Sequence, residues 1–143
     1  MTVRSIQNFE HALHTANEWL KELNDHPEVR SERDAHSILR TVLHALRDQL
    51  SVEESAHLSA QLPMLIRGLY FDGWRPSIVP HRMPEAEFMQ KLHQKLSDKK
   101  GVRLAPEQAL SLVFALLESR VGWGEIGHVK GSLPTYLRNL FPD

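Results

Sequence analysis

The residues of this sequence whose types could do chemistry recur in pairs 71 positions apart: His57 and His128, Arg67 and Arg138, and Glu54 and Glu125. Two imidazoles at equivalent positions could share a metal ion, and two guanidinium groups could form a symmetric pair of anion sites. In the structural alternative, each arginine joins its own glutamate or a helix C-terminus, and each imidazole bonds to backbone or solvent. Because a duplication also preserves structural residues, the structural role is favoured and the functional one stays open.

Histidine is abundant, with nine residues in the chain, but no complete metal site is visible. His11 and His14 have the i, i+3 spacing that places two imidazoles on one helical face. A metal ion needs third and fourth ligands, and no His-Glu-x-x-His pattern supplies them. The sequence also lacks cysteine, a Gly-x-Ser-x-Gly elbow and a glycine-rich phosphate loop. We therefore predict no catalytic residue and no cofactor, and leave His57 and His128 as the candidates for metal binding.

A stripe of lysines marks the fifth predicted helix. Lys91, Lys95 and Lys99 are spaced i, i+4, i+8, and Lys100 and Arg103 follow them. The stripe could meet a phosphate backbone, but it lacks interleaved aromatic residues and has carboxylates nearby. A solvated helix face is therefore favoured, and salt-dependent anion binding is the alternative.

An aromatic cluster lies at the start of a segment that cannot continue a helix. Tyr70, Phe71 and Trp74 lie within five residues beside Arg75, and residues 72–83 combine a glycine turn with two prolines. Trp and Arg dominate the hot spots of protein interfaces, but aromatic residues in a connector can also fold back to seal the core. The candidate interaction residues are Arg67, Tyr70, Phe71, Trp74 and Arg75.

Apolar residues recur at helical spacing along the chain. The first helix has an apolar face that we expect to point inward: Ile6, Phe9, Leu13, Ala16, Leu20 and Leu23. Further helix starts are marked by capping serines, prolines or an acidic residue: Ser31, Ser51, Pro63, Pro84, Pro106, Glu125 and Pro134. No segment shows the strict alternation of a half-buried strand. The predicted fold class is all-α.

The composition narrows the functional classes. The chain has 143 residues, 41% of them hydrophobic, and a net charge of -1. A near-neutral protein has no overall field that attracts nucleic acid or anionic lipid, and no apolar run is long enough to span a bilayer. The first six residues lack an apolar signal core, and the absence of cysteine suits a reducing compartment. We expect a cytoplasmic protein with no membrane contact, for which a nucleic-acid partner is unlikely.

The two halves of the sequence match without gaps at an offset of 71. Nine identical pairs occur between residues 38–70 and 109–141, where chance would give about two. We predict a single domain, 1–143, with an internal repeat of 1–71 and 84–141 joined by the connector 72–83. Each repeat is a four-helix unit with one apolar face per helix. The two units should therefore pack around a pseudo-twofold axis and share one core.

The segment from Glu53 to Pro63 and its continuation to Trp74 resemble a bacterial family called domain of unknown function 2267. Residues 133–141 resemble that family's second copy of the same motif. The resemblance implies a bacterial, helical, tandem-unit protein with no assigned activity. It supplies no catalytic residues.

These observations favour a non-enzymatic protein-interaction or self-association domain whose surface includes the connector. The partner would be an unknown protein or a second copy. The alternative is a small-ligand or metal-binding helical protein that uses the groove between the two units, near His57 and His128.

Overall fold

A computed structural model of the chain describes residues 6–98 and 102–142. These residues form eight α-helices: α1 Gln7–Asn24, α2 Glu32–Gln49, α3 Val52–Ala60, α4 Met64–Phe71, α5 Glu85–Asp98, α6 Pro106–Arg120, α7 Trp123–Ser132 and α8 Thr135–Arg138. A short 3-10 turn, Pro76–Ile78, lies in the connector. The described residues contain no strand, so the all-α prediction is confirmed.

The predicted capping residues begin their helices. Ser31 accepts the amide of Asp34 at 3.1 Å and starts α2. Ser51 and Glu54 form a reciprocal capping box at the start of α3: the serine hydroxyl accepts the Glu54 amide, and the Glu54 carboxylate accepts the Ser51 amide. These contacts satisfy amide groups that would otherwise have no partner in the first turn.

Helices α2 and α6 form the centre of the molecule. α2 contacts α1, α4, α5 and α6, and α6 also contacts α1, α5 and α7. The matched residues Leu39 and Leu110, and Val42 and Val113, have no exposed surface. The buried apolar side chains of both halves belong to one hydrophobic cluster. The pseudo-twofold arrangement of two units stays a prediction.

The inward face predicted for α1 is partly wrong. Ile6 and Phe9 are each 61% exposed, and Leu13 is 56% exposed. The face that enters the core is the adjacent one, with Ala12, Ala16, Trp19 and Leu23 buried. At about 100° per residue, these two sets lie on neighbouring sides of one broad apolar arc. Packing of the large Trp19 ring explains why the helix turns this side inward.

None of the helices in the described residues combines the length and hydropathy that a bilayer-spanning helix requires.

Candidate functional site

The polar side of α2 holds the C-terminal end of α4. Arg47 donates from Nη1 to the carbonyl oxygens of Tyr70, at 3.0 Å, and Asp72, at 2.8 Å. One turn earlier, Nε2 of His44 lies 2.8 Å from the carbonyl oxygen of Leu69. Cationic and donor side chains suit this position because the last carbonyl groups of a helix lack intrahelical partners. These contacts fix the point where the chain leaves α4 and enters the connector.

A third residue of α2 completes this set. Arg40 donates from Nη1 to the Asp72 carboxylate at 2.7 Å. The hydrogen bond from Arg40 and its positive charge lower the pKa of Asp72. Arg40, His44 and Arg47 are spaced i, i+4, i+7, which places all three on one face of α2. Sequence reasoning missed this set, although its spacing was a usable signal.

The histidine of this set is neutral in the folded protein near neutral pH. Burial lowers the pKa of His44, and the positive charges of Arg47 and Arg40 lower it further. The bond to the Leu69 carbonyl and the charge of Asp48 act in the opposite direction without reversing the shift. A neutral imidazole that bonds a carbonyl through Nε2 must carry its proton there. His44 therefore acts as a hydrogen-bond donor.

The aromatic cluster divides between the core and the surface. Tyr70 is fully buried, its hydroxyl lies 2.8 Å from Oγ of Ser55, and burial raises its pKa to about 12. Phe71 and Trp74 are half-buried with ring centroids 4.9 Å apart. Nε1 of Trp74 is buried without a hydrogen-bond partner among the described residues. Arg75 is exposed. A direct contact with a partner is therefore open to Phe71, Trp74 and Arg75, but not to the Tyr70 side chain.

The connector is attached to the body of the molecule at its second half. The His81 amide donates to the Asp48 carbonyl at 2.6 Å, and the Gln49 side chain donates to the His81 carbonyl at 2.8 Å. Arg82 donates from Nη2 to the Ser132 carbonyl at 2.6 Å. Backbone groups bonded in this way are not free to add a partner. The role of the connector as a recognition surface stays a prediction.

The matched arginines make the same contacts in both halves. Arg67 donates to the carbonyl oxygens of Ser59, at 2.9 Å, and Leu62, at 3.0 Å, at the end of α3. Arg138 bonds the two corresponding carbonyl oxygens at the end of α7, both at 3.0 Å. This arrangement matches the structural alternative predicted from the sequence, in which each arginine binds a helix C-terminus. The guanidinium groups bond carbonyl oxygens that have no partner within the helix.

The matched histidines line one cavity between α3 and α7. Its volume is about 450 Å³, and its lining consists of Ser51, Glu53, Glu54, His57, Glu125, His128, Val129 and Ser132. Burial favours the neutral form of Glu54, but hydrogen bonds from Ser132 and Ser51 and the charge of Arg82 lower its pKa overall. Across residues 6–98 and 102–142, no group of three or more His, Cys, Asp or Glu side chains is arranged to hold a metal ion.

The remaining sequence candidates lie at the surface. Lys91 and Lys95 are exposed on α5, and Lys91 pairs with Glu87 at 3.3 Å. Arg103 is also exposed, and Lys99 and Lys100 lie outside the described residues.

The histidine pair of α1 is exposed too. Nε2 of His14 lies 3.5 Å from a carboxylate oxygen of Glu18, and His11 lies one turn earlier.

Two comparisons with known proteins bear on these observations. A search of curated proteins found no match. A family model described as an uncharacterized conserved protein, DUF2267, matches residues 16–140. This match covers most of the chain and includes the α3–α7 cavity, the α4 end and the connector. The chain therefore belongs to the DUF2267 family.

Proposed function

We propose that this protein is a non-enzymatic self-association domain in which two copies pair through the exposed side of α1. The observation that supports the proposal is the α1 stripe, defined as Ile6, Phe9 and Leu13, whose members are each more than half exposed. Phe9 and Leu13 lie on one exposed side of α1, and Ile6 is the N-cap residue of that helix. A contiguous exposed apolar surface of this kind is often an interaction site.

The geometry of the α1 stripe favours a helix as its partner. Its residues are spaced i, i+3, i+7, and the half-buried Leu20 extends the same side by two turns. Such a row packs against a similar row on a second helix by interlocking side chains. A second copy supplies that row by symmetry, because a twofold interface uses one patch on both partners.

The size of the α1 stripe sets the strength of this pairing. Three residues at these exposures present on the order of 300 Å² of apolar surface. Two copies would bury roughly 600 Å² from the stripe, and its flanking residues would add to this area. This total is below the roughly 1,200 Å² of a stable complex. We therefore expect a weak and reversible dimer.

Sedimentation velocity tests the proposal. The wild-type chain, measured from about 5 to about 500 µM, should change from its 16.4 kDa monomer toward twice that mass. The double variant Phe9→Glu/Leu13→Glu should stay monomeric throughout, because two charges on each copy would be buried against each other.

A matched control keeps this test specific. Ile78→Glu/Trp123→Glu also places two carboxylates at exposed apolar positions, which are 45% and 88% exposed in the wild type. This control should dimerise like the wild type. A wild-type chain that stays monomeric at the highest concentration would refute the proposal. So would a control that loses the dimer while the α1 variant keeps it.

A small-ligand site in the α3–α7 cavity is the second candidate. It is favoured by the two matched histidines that line a cavity of about 450 Å³. A divalent ion such as Zn²⁺ would need two of the neighbouring carboxylates to approach the imidazoles. Titration of untagged protein with Zn²⁺ should then give one equivalent of binding that His57→Gln/His128→Gln abolishes. Equal binding by both proteins would discard this candidate.

A further inference from the structure

A cavity larger than the one between α3 and α7 lies between α2 and α5, away from the α1 stripe. Its volume is about 850 Å³. Four lysine and arginine side chains line it, Arg40 and Arg47 from α2 and Lys91 and Lys95 from α5, with Asp98 as the single carboxylate of the lining. Lys91 and Lys95, the two lysines of the predicted stripe that the structure describes, thus face the basic side of α2. Neither helix alone would make this groove.

The cationic side chains of this groove differ in how many partners they already have within the protein. Arg47 is buried and spends its donors on backbone carbonyls and on Asp48. Lys91 and Arg40 each have one carboxylate partner, at 3.3 Å and 2.7 Å. Their side chains remain 51% and 39% exposed, so solvent and ligands can reach them.

Lys95 is the uncommitted cation. It is exposed and has no hydrogen bond or ion pair with any residue that the structure describes.

Polar donors without charge complete the lining. Ser37, Thr41 and Gln94 contribute hydroxyl and amide groups to the same cavity. A cavity of this volume is in the range of small-molecule sites, roughly 300 to 1,000 Å³. A groove with exposed lysine ammonium groups, an arginine fork and neutral donors suits the tetrahedral oxygens of a phosphate group.

We propose that the α2–α5 groove binds a small anion that carries phosphate groups. A long nucleic acid fits the groove less well, because the chain has a net charge of -1 and carries Glu87 and Asp98 along the same helix. A polynucleotide needs a basic surface that extends over several phosphates. The proposal is independent of self-association through α1.

Calorimetric titration with inorganic pyrophosphate tests the groove in the full-length chain. The wild type should bind at low salt, and affinity should fall several-fold when the ionic strength is raised to about 0.15 M. Lys95→Glu should weaken binding by about tenfold, because a carboxylate replaces the uncommitted cation. Lys95 is exposed, so the charge reversal should leave the fold intact, and circular dichroism checks this.

Lys21→Glu is the matched control. It makes the same change in net charge at an exposed position of α1 that lies outside both the groove lining and the α1 stripe, and it should bind pyrophosphate like the wild type. The proposal fails if the wild type shows no binding at about 10 mM pyrophosphate. It also fails if both charge reversals weaken binding equally. Tighter binding to a mixed-sequence DNA duplex than to pyrophosphate, lost in Lys95→Glu, would replace the small anion with nucleic acid.

Discussion

Positions 71 residues apart hold equivalent places in the sequence, but the two halves stabilise them differently. In the first half, the buried Tyr70 bonds through its hydroxyl to Ser55. The corresponding residues in the second half are Phe141 and Ile126, and Phe141 stacks on Phe114 with ring centroids 4.1 Å apart. The first half therefore uses a buried polar pair where the second half uses stacked aromatic rings, with Nζ of Lys130 5.3 Å from the centroid of the Phe141 ring.

The same contrast holds between helices α2 and α6. Arg47 bonds the chain where α4 ends, whereas its counterpart Glu118 pairs with Lys130 at 3.6 Å. His44, which bonds the Leu69 carbonyl, corresponds to Ala115. The first half must lead into the connector in a fixed direction. Polar contacts specify direction more sharply than apolar packing does, since they depend on angle as well as distance.

Substitution of Arg47 should give the largest difference in stability between the two halves. Arg47→Met leaves the Tyr70 and Asp72 carbonyl groups without their partner, and should lower the free energy of unfolding by about 2–4 kcal/mol. Glu118→Gln removes one partly exposed ion pair in the second half and should cost less than about 1 kcal/mol. Urea unfolding of both variants measures the difference. Equal costs would mean that the α4 end is not held as we describe.

Loss of the Tyr70 hydroxyl should lower the stability by a smaller amount, and a second substitution at Ser55 should restore part of it. Tyr70→Phe leaves the Ser55 hydroxyl buried without a partner, and should cost about 1–2 kcal/mol. The double variant Ser55→Ala/Tyr70→Phe makes the first half apolar here, as the second half already is. It should cost less than the two single changes together. Strict additivity in a double-mutant cycle would contradict a direct bond between these side chains.

Substitution of His44 should give the smallest change in stability, and that change should depend on pH. Its pKa in the folded protein is below the ordinary value of 6.5, so the unfolded chain binds more protons as pH falls. The stability that His44 contributes is present above pH 6.5 and is lost as pH falls through the lowered pKa.

His44→Gln keeps a donor for the Leu69 carbonyl but cannot titrate. Its free energy of unfolding should therefore decline less than that of the wild type from about pH 7 to about pH 5.5. Urea unfolding at each pH gives the two slopes. Identical slopes would show that the protonation of His44 is not linked to folding.

Much of the fold could be predicted because its signals are local. Ser31 and Ser51 mark helix starts through contacts with residues three positions away, and the α2 and α6 faces follow helical periodicity. The matched arginines also follow a local rule, since each binds carbonyl groups within eight residues.

The parts that could not be predicted depend on tertiary contacts. The α1 arc contains more apolar residues than its neighbours can cover, and only packing decides that Trp19 is buried while Phe9 is exposed. Arg40 meets Asp72 across 32 positions, and no periodic pattern indicates that pairing. Lys95 likewise faces α2 only because of how α5 packs against that helix, which its own sequence does not indicate.

Hydrogen exchange measured at two protein concentrations, about 10 and about 500 µM, tests most directly which surface is used for self-association. Pairing through α1 would suppress opening of its first turns. We predict that amides of residues 7–14 exchange several-fold more slowly at the higher concentration, while amides of residues 72–83 do not change. Slower exchange in residues 72–83 with no change in α1 would contradict our proposal and return the recognition surface to the connector.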